Sequence, residues 1–129
     1  MKQNMVLVPC LILPLLFISA ACGKKEAPTV SFSKEIRPIL DARCMECHKL
    51  GGEGEQASGL SMENYATLMK GTKFGPVIKP GDALSSTLMI LIDGRADPSI
   101  NMPHGDREPL SADQIKLFET WIDQGANNN

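Results

Sequence analysis

The chain has little of what a large hydrophobic core needs. Aromatic residues make up 5% of its 129 positions, with one tryptophan and one tyrosine. A single small domain built from so few large side chains buries a limited core and gains from folding around something large and apolar. It also has no basic stripe, and 13 lysines and arginines against 15 acids leave a net charge of −2. That balance argues against nucleic acid as a partner. There is no internal repeat, no heptad pattern and no run that alternates long enough to read as a strand. Cysteine and histidine are sparse, at four and two residues.

What is present begins with "MKQNMVLVPCLILPLLFISAAC". Lys2 precedes an apolar run from Met5 to Ile18, followed by Ser19, Ala20 and Ala21. A basic start, an apolar middle and a small-residue end form an export-signal pattern, so residues 1–21 are read as a signal peptide. An uncleaved membrane anchor is the competing reading; Pro9 and Pro14 interrupt the run and leave its strongly apolar part short. "ISAAC" resembles the lipobox of bacterial lipoproteins, with Ser19 where leucine is usual. Cys22 is therefore the expected lipidated first residue, against an ordinary secretory signal with an incidental cysteine. Residues 22–31 read as a lipidated start and polar tether, and 32–129 as the folded domain. The expected location is the periplasmic side of a bacterial membrane.

The remaining pattern is helical. "SKEIRPILDARC" places Ile36, Ile39 and Leu40 at helical spacing, with Pro38 near the start, where proline is tolerated. "KLGGEGEQASG" reads as a flexible glycine-rich loop. "SMENYATLMKG" reads as a short helix with Ser61 as its N-cap and Gly71 as its stop. A third helix is expected in "SSTLMILIDG", followed by the irregular, proline-rich "RADPSINMPHGDREP". The last helix opens on Ser111 and Gln114, a capping box, with Leu110 and Ile115 at hydrophobic-staple spacing. Ile115, Phe118, Trp121 and Ile122 form its apolar face, and Gly125 its stop.

Half of the cysteines and one of the two histidines fall within five positions, in "CMECH", Cys44 to His48. On a helix, positions i, i+3 and i+4 share a face, so Cys44, Cys47 and His48 converge. C-x-x-C-H is the attachment signal for c-type haem. Each thiol adds to one porphyrin vinyl group, and the adjacent histidine binds the iron from below. Zinc would need a fourth ligand, and only His104 remains downstream, with no further cysteine. A thioredoxin-like C-x-x-C expects a βαβ setting. A plain disulfide would leave His48 a coincidence. With haem on Cys44 and Cys47, lipid on Cys22 and Cys10 removed with the signal, no thiol stays free in an oxidising compartment.

The stretch "FSKEIRPILDARCMECHK" resembles the start of the planctomycete-type cytochrome c domains, a branch of the class I cytochrome c fold. The likeness continues through "SGLSMENYATLMKG", "VIKPGDALSSTLMILI", "NMPHG" and "LSADQIKLFETWIDQGA". It implies an all-α fold of about four short helices wrapped around one covalent haem c, with an electron-carrying role rather than an enzymatic one. Lys49 and Leu50 stand where such domains often have glycine and proline, so the acceptor that orients His48 is not assignable from sequence.

The distal ligand is the remaining question. Met45 adjoins Cys44 and cannot reach the far face; Met62, Met69 and Met89 sit in helical settings typical of gap-filling core. Met102 lies in the irregular "NMPHG" loop, and the resemblance implies that it is the axial methionine; His104 is the rival. A thioether opposite histidine favours Fe(II) and fills the coordination sphere, which suits electron transfer. The alternative is a haem-based sensor or docking module in which Met102 is displaced by a gas or a redox change. The expected partners are redox proteins and, through Cys22, a membrane. The oligomeric state is not legible.

Overall fold

The computed structural model describes residues 28–129. The signal peptide, Cys22 and most of the tether lie outside the described residues. Among the described residues are a wide π turn, Phe32–Ile36, and six α-helical segments: α1 (Arg37–Arg43), α2 (Met45–His48), α3 (Glu53–Ser58), α4 (Tyr65–Lys70), α5 (Thr87–Ile92) and α6 (Ala112–Asp123). The only extended pairing among them is one isolated bridge between Thr72 and Gly75. The all-α expectation therefore holds for these residues, with more and shorter helices than the four read from sequence.

Two local causes account for the extra segments. The first expected helix is interrupted at Cys44, whose φ of −124° and ψ of −34° leave helical geometry before α2 begins. Residues 53–58, read as loop, form α3. Gly52 opens it in an extended conformation, two glutamates occupy its first turn, and Gly59 closes it at φ 79°. Acidic residues at a helix N-terminus favour the exposed amide dipoles there, and a left-handed glycine ends the helix without a Cβ penalty. Composition masked this helix because three of its neighbouring glycines read as loop.

Capping fixes the other helices. The N-cap of α4 is Asn64, not Ser61: its side chain accepts from the Thr67 amide, and the Thr67 hydroxyl bonds back to the Asn64 amide. Ser111 and Gln114 make the expected reciprocal box at α6. Such a cap is worth about 1 kcal/mol. Gly71 and Gly125 follow α4 and α6 at positive φ, as the stop signals imply.

The two ends of the described chain are zipped together. Val30 is buried and its amide donates to Gln124 Oε1 at 2.8 Å; the Phe32 amide donates to Asn129 Oδ1 at 2.7 Å. Packing thus extends back to Val30, within the stretch read as tether. Phe32 lies between Tyr65 and Trp121, edge-on to the first at 5.2 Å and tilted against the second at 5.5 Å between ring centroids. The polar atoms of these aromatics are satisfied by the C-terminal loop: Tyr65 OH donates to the Ala126 carbonyl at 2.8 Å and Trp121 Nε1 to the Asn127 carbonyl at 2.9 Å. Aromatic pairs add about 0.5–1.5 kcal/mol beyond their buried area. The scarce aromatics are thus concentrated: Phe32, Phe118 and Trp121 are buried in one cluster with Ile36, Leu40, Leu68, Ile78 and Ile122. That cluster positions the turn carrying the C-x-x-C-H motif at the end of α1.

Candidate functional site

The site is built on the exit from α1. Leu40 is fully buried and its carbonyl accepts from the Cys44 amide at 2.9 Å, which anchors the motif to the core. The Cys44 carbonyl then accepts from the amides of both Cys47, at 3.2 Å, and His48, at 3.0 Å. One tight turn therefore holds all three motif residues, although Cys44 itself stands just outside helical geometry.

The two thiols are free and half-buried. Burial pushes the Cys44 thiol up to about 11, with Arg43 opposing and Cys47 adding to the rise. Burial and the hydrogen bond to Glu53 also raise Cys47, whose Sγ lies 3.3 Å from Glu53 Oε1. Among the described residues, no group of three His, Cys, Asp or Glu side chains could hold a bare metal ion.

His48 is 7% exposed. Its Nδ1 lies 3.0 Å from the Leu60 carbonyl oxygen in a buried contact, and its own carbonyl accepts from the Met62 amide at 2.8 Å. A carbonyl only accepts, so Nδ1 carries the proton and donates, which leaves the lone pair on Nε2. Sequence reasoning could not find this acceptor: Leu60 is twelve residues away and contributes a backbone atom, which leaves no trace in residue identity.

Glycines make room on the same side. A Cβ on Gly52 would meet the Cys47 carbonyl oxygen at 2.4 Å, and one on Gly54 would meet His48 Cε1 at 2.9 Å and Nε2 at 3.0 Å. The residues present fit a covalently held haem. Two thiols share one turn, a buried imidazole has its Nδ1 engaged with the Leu60 carbonyl, and Gly54 places no side chain against Nε2. A further sign is the buried Oδ1 of Asn101, the residue before Met102, which has no hydrogen-bond partner among the described residues. An unpaired buried polar atom costs about 1–3 kcal/mol, which a partner supplied by a bound group would remove.

Met102 is half-buried, packs against the core, and is tied back to α5 by its amide, which donates to the Leu91 carbonyl at 2.8 Å. The segment after it crosses to the motif. Arg107 pairs with Glu46 at 3.2 Å, and Arg43 donates to the carbonyls of Glu108 and Pro109. Pro103 lines a shallow cleft of about 220 Å³ together with Ala42, Arg43, Glu46, Arg107 and Glu108. The loop bearing Met102 thus runs alongside the motif. His104 is exposed, with its Nδ1 3.2 Å from the Asn101 carbonyl oxygen. Met62 and Met89 are buried in the core cluster and Met69 packs against it, although Met62 precedes α4 rather than lying on it as the sequence pattern implies.

These features describe a helical domain whose C-x-x-C-H turn fits covalent attachment of a haem. The family model described as planctomycete cytochrome C matches residues 44–106, in agreement with the resemblance noted from the sequence. A haem-binding, electron-transfer role is what that match suggests. No curated protein and no solved structure matches the chain.

Proposed function

We propose that this chain is an exported, lipid-anchored, mono-haem c-type cytochrome that passes single electrons between redox partner proteins. The observation that carries the reading is His48. It is buried in the C-x-x-C-H turn, oriented through Nδ1 by the Leu60 carbonyl, and leaves Nε2 for iron. Cys44 and Cys47 are the proposed thioether positions, His48 the proximal ligand and Met102 the distal one.

Bound haem c would supply reversible one-electron iron chemistry. The protein's part is to hold it and set its preference between oxidation states. The Leu60 carbonyl fixes the tautomer and raises the basicity of His48. The Met102 thioether would hold the iron on the side opposite His48 and would favour Fe(II), raising the potential. Its loop is tied to α5 at one end and to α2 at the other, which supports a fixed rather than a displaceable ligand. Export, anchoring at Cys22 and the single haem rest on the sequence pattern, since only one C-x-x-C-H is present. Among the described residues, no helix is long and apolar enough to cross a membrane.

The test is the denatured protein purified after expression with a haem-attachment system. A haem-stained band and a pyridine haemochrome equivalent to one haem per chain are expected. An unstained band would overturn the reading. Little binding of carbon monoxide to the reduced protein at neutral pH favours the carrier over the sensor.

A further inference from the structure

Gly54 occupies the second position of α3, a six-residue helix. Its φ is not in the left-handed region, so its backbone could be that of any residue. A glycine here forfeits helix propensity relative to alanine. The compensating fact is distance. A Cβ at this position would lie 2.9 Å from His48 Cε1, 3.0 Å from His48 Nε2 and 3.2 Å from the Cys47 carbonyl oxygen. By contrast, a Cβ on Gly51 or Gly81 would meet nothing within 4 Å.

We propose that Gly54 is a positioning residue for His48: its missing side chain lets the α3 backbone press against the imidazole edge, which sets the rotation of the ring and, through the Nδ1–Leu60 hydrogen bond, the reduction potential. The inference rests on the proposed role of His48 as the iron ligand. A methyl group added at position 54 must displace either α3 or the ring. The helix is held at both ends. The Gly52 amide donates to the Lys49 carbonyl at 2.9 Å, the Lys73 amide to the Ser58 carbonyl at 2.9 Å, and Lys73 Nζ to the Ala57 carbonyl at 2.8 Å. The gap between Gly52 and the Cys47 carbonyl is already closed to a Cβ. The imidazole can turn about its Cβ–Cγ bond, whereas α3 is held at both ends, so the ring yields first. Turning it lengthens the Nδ1–Leu60 contact. The hydrogen bond raises imidazole basicity, and a more basic ligand favours ferric iron. Its weakening therefore favours the ferrous state.

The experiment compares holoprotein carrying Gly54→Ala with the wild type and with Ala57→Gly, an exposed change in the same helix. Gly54→Ala is expected to raise the ferrous-to-ferric ratio at fixed ambient potential by about tenfold, about 59 mV for a one-electron couple, with covalent haem retained. Ala57→Gly is expected to leave the ratio unchanged. An unchanged potential in haem-replete Gly54→Ala overturns the inference and leaves the proposed function standing. If Gly54→Ala yields no holoprotein, the ferrous wild type decides by nuclear magnetic resonance. A proton–proton contact between the Gly54 α-hydrogens and the His48 ring Hε1 supports the inference, and its absence overturns it. A wild-type chain without covalent haem would instead fail the functional reading itself.

Discussion

The His48 imidazole and the Leu60 carbonyl meet at 3.0 Å inside the core, and both partners are buried. The relationship is local to the site but not to the motif. The amide of Met62, two residues beyond Leu60, donates to the His48 carbonyl at 2.8 Å, so the incoming strand of chain is fastened to the same residue twice. A ring held in this way presents one tautomer and one nitrogen, which is what a ligand with a defined potential requires.

Attachment is expected to need both thiols. Cys44→Ala or Cys47→Ala should reduce covalent haem, and the double change should abolish it. Haem staining of denatured protein reads the outcome directly, and a full-strength band in the double variant would refute the thioether assignment.

On the distal side, Met102→Ala is expected to lower the potential and open the reduced iron to carbon monoxide, because alanine cannot coordinate and a thioether stabilises Fe(II). His104 is two positions away and exposed, and its entry would lower the potential while keeping the iron closed. The wild-type ferric protein should show the weak far-red absorption of methionine ligation. Survival of that band in Met102→Ala would move the assignment to Met62, Met69 or Met89.

Helix α6 offers a test of the fold alone. The Ser111 hydroxyl accepts from the Gln114 amide at 3.2 Å, and Gln114 Oε1 accepts from the Ser111 amide at 3.0 Å. Ser111→Ala should cost about 1 kcal/mol. For a domain of this size that is a fall in Tm of about 4–8 °C. Calorimetry checks it, and no change in Tm would show that the cap contributes nothing in the folded protein.

At the N-terminus, Cys22→Ser should release the protein from membranes or block its processing, since acyl chains would supply the membrane affinity. Mass spectrometry of the mature N-terminus decides. An unmodified start at another residue would end the lipoprotein reading without touching the haem site.

Several of these features were legible in the residues themselves. C-x-x-C-H names its own chemistry, because three side chains within one turn of chain must converge whatever surrounds them. The box at Ser111 and Gln114 and the stops at Gly71 and Gly125 are likewise short-range, and the structure contains them as read. The glycine-rich stretch 51–59 misled, because composition reports conformational cost but not what offsets it. There, α3 forms beside His48, and the glycine that weakens the helix is the one whose side chain would strike the ring. Only the tertiary structure decided that Leu60 orients His48, that Phe32 joins Tyr65 to Trp121, and that the loop after Met102 is tied to Glu46. The first of these is made by a backbone carbonyl, which is the same in every residue. The others join positions far apart in the chain, and such pairings are selected by the packing of the whole domain rather than by any local pattern.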